Sequence, residues 1–123
     1  MARRLQAQDL VVVRFPEHVP PGHEQQGVRP AVVVGLVEHL RETRYPILFL
    51  APLTTHRNQE WVARSPCLYP VVPAGAARLP SDSVVLLDQI RAVGLQRVIV
   101  YRGRLTDEEY RPIRKGIDAL SCA

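Results

Sequence analysis

The residues best suited to chemistry fall in three places along the chain. The first is Gly22-His23-Glu24-Gln25-Gln26-Gly27-Val28-Arg29-Pro30, a polar loop that runs directly into an apolar stretch. Pro30 fixes its own φ and biases Arg29 towards extended backbone, so the guanidinium is held at a defined place on a strand edge and can make a rigid phosphate contact. Arg29 could instead close the loop on Glu24. His23, taken alone, reads as a solvated loop histidine. The second place is Pro52-Leu53-Thr54-Thr55 at the end of a strand, where a hydroxyl either reaches a bound group or serves a turn. The third is Asp88, which interrupts Val84-Val85-Leu86-Leu87 and is followed by Gln89, Ile90 and Arg91. A carboxylate buried without a partner is costly, so Asp88 either faces solvent by strand alternation or meets an arginine or a set of amide donors, with Arg91 and Arg29 at hand.

Short β-type runs separated by Pro and Gly must position these groups. Asp9 to Phe15 (DLVVVRF), Ala31 to Glu38 and Tyr45 to Ala51 read as the first three strands, the last two joined through Arg41-Glu42-Thr43. Pro16 to Pro30 is too long for a hairpin turn and is expected to carry function. Pro52 to Pro80 holds one short strand near Cys67 to Val72. Ser83 to Ile90 reads as a buried strand and Arg97 to Arg102 as another, with Gly94 as the turn between them. Beyond Gly103 the period changes: Ile113, Ile117 and Leu120 fall on one helical stripe, and Thr106 with Glu109 forms a capping box ahead of it. Pro112 is expected to kink this helix or to split off its first turn. Strands first and a helix last predict an α+β, mostly β fold: a small barrel or open roll of antiparallel strands with a C-terminal helix.

At 123 residues, 46% apolar and 23% charged, the chain is long enough for a hydrophobic core but not for a second domain, so a single domain is expected. Its apolar runs are broken long before the roughly 20 residues of a membrane span. The basic segment Met1–Gln8 lacks the apolar core of a signal peptide, and a cytoplasmic location is expected. Cys67 and Cys122 read as thiols in such a compartment. His18, His23, His39 and His56 have no metal-ligand spacing, so no metal is expected. The 16 basic residues outnumber 12 acidic ones, and all but Lys115 are Arg, which suits phosphate contact or reflects a GC-rich coding sequence.

In combination, "GHEQQGVRP" followed by "AVVV", the "PLTT" strand end, and "LPSDSVVLLDQIRAV" followed by a strand, "GRLTDEEY" and a terminal helix resemble the MazF/PemK family of toxin endoribonucleases from type II toxin–antitoxin systems. The resemblance covers residues 9–120 as one domain, leaving 1–8 as a short basic tail. It implies an SH3-like barrel of the kind shared with the CcdB gyrase poison, forming a symmetric homodimer. It further implies metal-independent cleavage of single-stranded RNA at short sequences, without a cofactor, and neutralisation by a cognate antitoxin whose C-terminal segment covers the RNA groove. The family's catalytic Arg and Thr fall on Arg29 and Thr54. Its RNA-shaping loop positions fall on His23, Glu24 and Gln25, with Thr55, Gln89 and Arg91 as further RNA contacts. The carboxylate that some members use as a base falls on Asp88. Kid-like members carry an acidic-role Arg two residues before that Asp, where this chain has Leu86, so the mechanism implied rests on Arg29 and Thr54. The choice of base between His23 and Asp88 stays open. The alternative reading is a barrel of the same architecture that binds a protein target such as gyrase and cleaves nothing.

The chemistry of RNA agrees with the first reading. Its 2′-hydroxyl can attack the adjacent phosphorus, so an enzyme needs only to align the attack, move a proton and neutralise the pentavalent phosphorane. An arginine fork with a hydroxyl beside it suits the last task, and each such preorganised donor can be worth roughly 3–4 kcal/mol.

Overall fold

β-branched residues fill Asp9–Phe15, which forms β1 in a computed structural model that describes residues 4–16, 27–36 and 46–121. β1 lies between β2 (Gly27–Leu36) and β7 (Val98–Arg104) and is antiparallel to both. β3 (Ile47–Thr55) pairs with β2 along one edge and divides the other. Ile47–Leu50 pairs with β6 (Arg91–Gly94), and Leu53–Thr55 pairs with β5 (Ser83–Val85). β4 (Val71–Val72) completes the order β4-β5-β3-β2-β1-β7, with β6 beside β3. All these pairings are antiparallel, and the C-terminal helix α2 (Asp107–Ser121) follows the last strand, which is the expected α+β, mostly β class. The hydrogen-bonded ring does not close, because β4 and β7 are both edges.

The three central strands are buried on both faces. Leu10, Val32 and Leu53 point to one cluster, which Leu87, Leu105 and Ile113 complete beneath α2. Their neighbours Val11, Val13, Ala31, Val33 and Leu50 point to a second cluster on the other face. Strands covered on both sides read as unbroken apolar runs, which is why DLVVVRF and AVVV show no polar alternation. Each large aliphatic side chain so buried contributes about 1.5–3 kcal/mol. The N-terminal segment joins this packing: Leu5 and Gln8 are buried, and the Gln8 amide donates to the Leu105 carbonyl at 3.1 Å and to Asp107 Oδ1 at 3.0 Å.

Several local expectations need correction. β2 begins at Gly27, so Arg29 and Pro30 are strand residues facing Val13 and Val12 of β1 and not the end of a loop. β3 runs on through Pro52 to Thr55. The strand expected over Ser83 to Ile90 stops at Val85; Leu86 leaves extended geometry (φ −92°, ψ 84°) and Leu87–Gln89 forms a 3₁₀ turn. Leu86 and Leu87 are both buried, Leu86 with Val62 and Val84 and Leu87 in the cluster that α2 covers. Gly94 ends the paired strand β6, and the turn is the following 3₁₀ segment Leu95–Arg97. A short helix α1 (Glu60–Arg64) was not anticipated.

The capping box at α2 is formed as expected. Glu109 N–H donates to Thr106 Oγ1 at 3.1 Å, and Thr106 N–H donates to Glu109 Oε1 at 2.8 Å. The helix is continuous through Pro112, so its first turn is not split off. Tyr110, Ile113 and Gly116 form the buried stripe with Ile117 beside it, whereas Leu120 is 54% exposed and does not belong to it. Among the described residues, no helix is long and apolar enough to cross a membrane.

Candidate active site

Two prolines decide where the β2–β3 ladder ends. Its last pair is Ala31 with Pro52, and Pro30 precedes Ala31. Proline donates no N–H to a ladder, so regular pairing stops there, and β3 continues against β5 instead. Arg29 and Thr54 each lie two residues beyond that last pair, Arg29 opposite Val13 of β1 and Thr54 opposite Val84 of β5. Alternation adds that both lie on one face: Arg29 with Ala31 and Val33 of the second cluster, Thr54 with Leu48 and Leu50. Arg29 is exposed and Thr54 half-buried. The backbones of Thr54 and Thr55 are paired with Val84 and Ser83, so neither is a free turn residue.

Arg91 joins this face from β6, opposite Leu50, with its guanidinium carbon 4.2 Å from the centre of the Phe15 ring. Such a stack holds a guanidinium flat and oriented.

Thr54 also lines an open cleft of about 380 Å³, together with Gln59, Trp61, Tyr69, Asp88 and Gln89. Asp88 is exposed on the 3₁₀ turn, and its partner is Tyr69, not Arg91 or Arg29: the phenol donates to Asp88 Oδ2 at 2.6 Å. That bond, with smaller contributions from burial and the nearby carboxylate charge, pushes the Tyr69 hydroxyl above the usual phenol range. Trp61 on α1 meets Tyr69 edge to face, ring centres 4.7 Å apart. Gln59 braces the segment before α1, donating to the Thr55 carbonyl at 3.0 Å and accepting from Arg57 N–H at 2.8 Å.

The cleft gathers Thr54, Asp88 and Gln89, with Thr55 adjacent on β3, whereas Arg29 does not line it and sits on β2 beyond the last β2–β3 pair. Arg91 sits on the same face over Phe15. His23, Glu24 and Gln25 lie outside the described residues, as do Cys122 and the turn at Arg41-Glu42-Thr43. Cys67 is exposed with a free thiol. Among the described residues no three His, Cys, Asp or Glu side chains come together. Gln59, Trp61 and Tyr69 were missed. The available signal was Trp61, the single tryptophan of the chain, standing in a polar stretch and 39% exposed.

An open antiparallel sheet with a terminal helix, and an aromatic-walled cleft at the end of β3, define a small, mostly β protein. A family model, PemK-like, MazF-like toxin of type II toxin–antitoxin system, matches residues 6–120. The chain belongs to that family. Solved structures share the fold: MazF (Form-I) from Deinococcus radiodurans has a TM-score of 0.70 at 21% identity, covering 99% of this chain and 100% of that one. An endoribonuclease in complex with its cognate antitoxin from Mycobacterial species has a TM-score of 0.67 at 17% identity, covering 98% of each chain. Among curated proteins no sequence matches.

Proposed function

We propose that this toxin is a metal-independent endoribonuclease that cuts single-stranded RNA, with Arg29 and Thr54 as its catalytic residues. The observation that supports it most directly is the cleft: Thr54 at the end of β3 lines it together with Asp88, and Arg29 stands on the neighbouring strand β2, two residues beyond the last β2–β3 pair. In the reaction the 2′-hydroxyl oxygen attacks the adjacent phosphorus and the bond from phosphorus to the 5′ oxygen breaks. The proton of the 2′-hydroxyl passes to a base and one is returned to the departing 5′ oxygen. The products are a 2′,3′-cyclic phosphate and a 5′-hydroxyl. Arg29 neutralises the two non-bridging oxygens as charge builds on them, and the Thr54 hydroxyl donates beside it.

Asp88 is the carboxylate of the cleft and serves as base, or supports His23 in that role. One of its oxygens is already engaged by Tyr69, which fixes the orientation of the group. Trp61 and Tyr69 offer ring faces and edges to an unstacked base, the usual way a protein grips single-stranded RNA. Glu24, Gln25, Thr55, Gln89 and Arg91 complete the RNA contacts. A homodimer and a cognate antitoxin, acidic and ordering over this basic face, fit the same reading, since the structural relative named as an endoribonuclease was solved with its antitoxin.

The test is to incubate the pure protein with mixed-sequence single-stranded RNA in EDTA and map the fragment ends. Cleavage with cyclic-phosphate ends, lost in Thr54→Val and less affected in Thr55→Val, is the expected result. An intact RNA, or cleavage that appears only on adding a divalent ion, overturns the reading.

A further inference from the structure

The turn Gly75–Arg78 is built against local preference. Ala77 and Arg78 both adopt left-handed backbone (φ 46° and 65°) beside Gly75 (φ 92°), a conformation that residues bearing a Cβ rarely hold. The turn is pressed onto β7 at Gly103, where a Cβ would stand 3.2 Å from the Ala77 Cα. This close approach sets Arg78 beside Arg102, the residue before Gly103. With Arg29 they line a pocket of about 270 Å³ whose floor includes Leu10, Val12, Pro30, Leu79 and Pro80. Neither Arg78 nor Arg102 has a carboxylate at ion-pair distance among the described residues. Strained backbone at the rim of a cavity persists where a side chain must be held in place, and here it holds a guanidinium.

We propose that this pocket is a nucleotide subsite of the RNA substrate, outside the scissile step, with a phosphate on Arg78 and Arg102 and a base against the apolar floor. The proposal rests on the endoribonuclease reading and extends it to the opposite sheet face. Arg29, the proposed catalytic arginine, also lines this pocket, which ties the subsite to the reaction. An acidic peptide would also meet the arginines, but a pocket of this size suits one planar ring better than a run of side chains. Guanidinium forks match phosphate oxygens in pairs, and their planes stack on bases.

The test uses the full chain and a 2′-O-methyl single-stranded oligonucleotide of mixed sequence, which binds but cannot be cut, titrated over a range of salt. Arg78→Gly and Arg102→Gln are each expected to weaken binding about tenfold at moderate salt and to make the salt slope shallower by about 0.7 for each phosphate no longer neutralised. Arg78→Gly also relieves the left-handed strain, so it should unfold at no lower temperature than the parent, which separates weaker binding from poorer folding. Arg78→Lys should retain most of the slope. Unchanged affinity and slope in both variants, with the parent still cleaving RNA, would overturn the subsite and leave the nuclease reading intact. A fall from dimer to monomer mass in the same variants would overturn it too, by giving the pocket to a subunit contact. A parent that neither binds nor cleaves RNA removes both proposals together.

Discussion

The 3₁₀ turn Leu87–Gln89 has two sides with opposite character. Leu87 is 2% exposed and packs beneath α2, where a Cβ on Gly116 would collide with its Cδ1 and with the backbone carbonyl of Cys67. One residue on, Asp88 is exposed in the open cleft and held by a single phenol. Packing fixes the turn from below, and chemistry is offered above it. A side chain in the cleft can therefore be replaced at little cost in stability, while one beneath the helix cannot be replaced without moving the turn that carries Asp88 and Gln89.

Arg29→Ala should produce the largest effect on the chemical side. Losing one preorganised donor to a developing anion costs about 10²–10³ in rate, and an exposed side chain outside the core should change stability by less than about 0.5 kcal/mol. Arg29→Lys should also lose most of the rate, because a point charge does not reproduce the paired fork. Initial rates on single-stranded RNA beside thermal unfolding measure both halves. Wild-type cleavage by Arg29→Ala would remove the site assignment, and a large drop in unfolding temperature would blur the division between the two regions.

Gly116→Ala sharpens the comparison from the packed side. The change favours the helix by about 1 kcal/mol. The added methyl, however, meets the Cys67 carbonyl and Leu87, and overpacking of this kind costs about 1–3 kcal/mol. Backbone cannot move aside as a long side chain can, so the net effect is destabilising. The displaced Leu87 should also shift Asp88 and Gln89, so cleavage should fall more than stability alone accounts for. Equal stability and full activity would mean that α2 can slide and that the turn is not held from below.

Legibility followed the same division. β1 was readable because Leu10–Val13, between neighbours on both sides, leave an unbroken apolar run, and the start of α2 because a capping box is a purely local signal. The cleft was harder. α1 has five residues and one buried side chain, Val62, too few for a helical period to show. β6 looked like the approach to a turn because it is four residues long and ends in Gly94; its partner is Ile47–Leu50, roughly forty positions or more earlier in the chain. Arg29, Thr54 and Asp88 were singled out from residue type and family motif, but the prolines that end the β2–β3 ladder act only across strands. The Tyr69 bond to Asp88 spans 19 positions and no spacing rule reaches it.

A smaller effect is expected at the helix cap. Thr106→Ala removes the acceptor of the Glu109 N–H, which should cost about 1 kcal/mol and leave RNA cleavage per folded molecule unchanged. Thr106→Asp should keep the acceptor and most of the stability. Denaturant unfolding of the three proteins checks the order. A loss in activity greater than the loss in folded protein would show that the cap is coupled to the cleft.

The smallest effect separates the two regions by cause. Tyr69 and Tyr110 both titrate above the ordinary phenol range, but for different reasons. Tyr110 is raised first by burial on the inner face of α2, with Arg114 working against it. Tyr69 is raised first by its hydrogen bond to Asp88. In both cases the folded chain keeps the proton longer than the unfolded one, so the contribution to stability is complete below about pH 10 and is lost as pH rises through the folded value. Asp88→Asn removes the carboxylate that accepts from Tyr69 and the charge that repels its anion. An absorbance titration of the tyrosines should therefore show one late phenol moving back towards its ordinary range while the other stays late, with almost no change in unfolding temperature because Asp88 is exposed. If both phenols move, the cleft and the packed side are not independent, and the turn transmits the change; if neither moves, burial holds Tyr69 as it holds Tyr110.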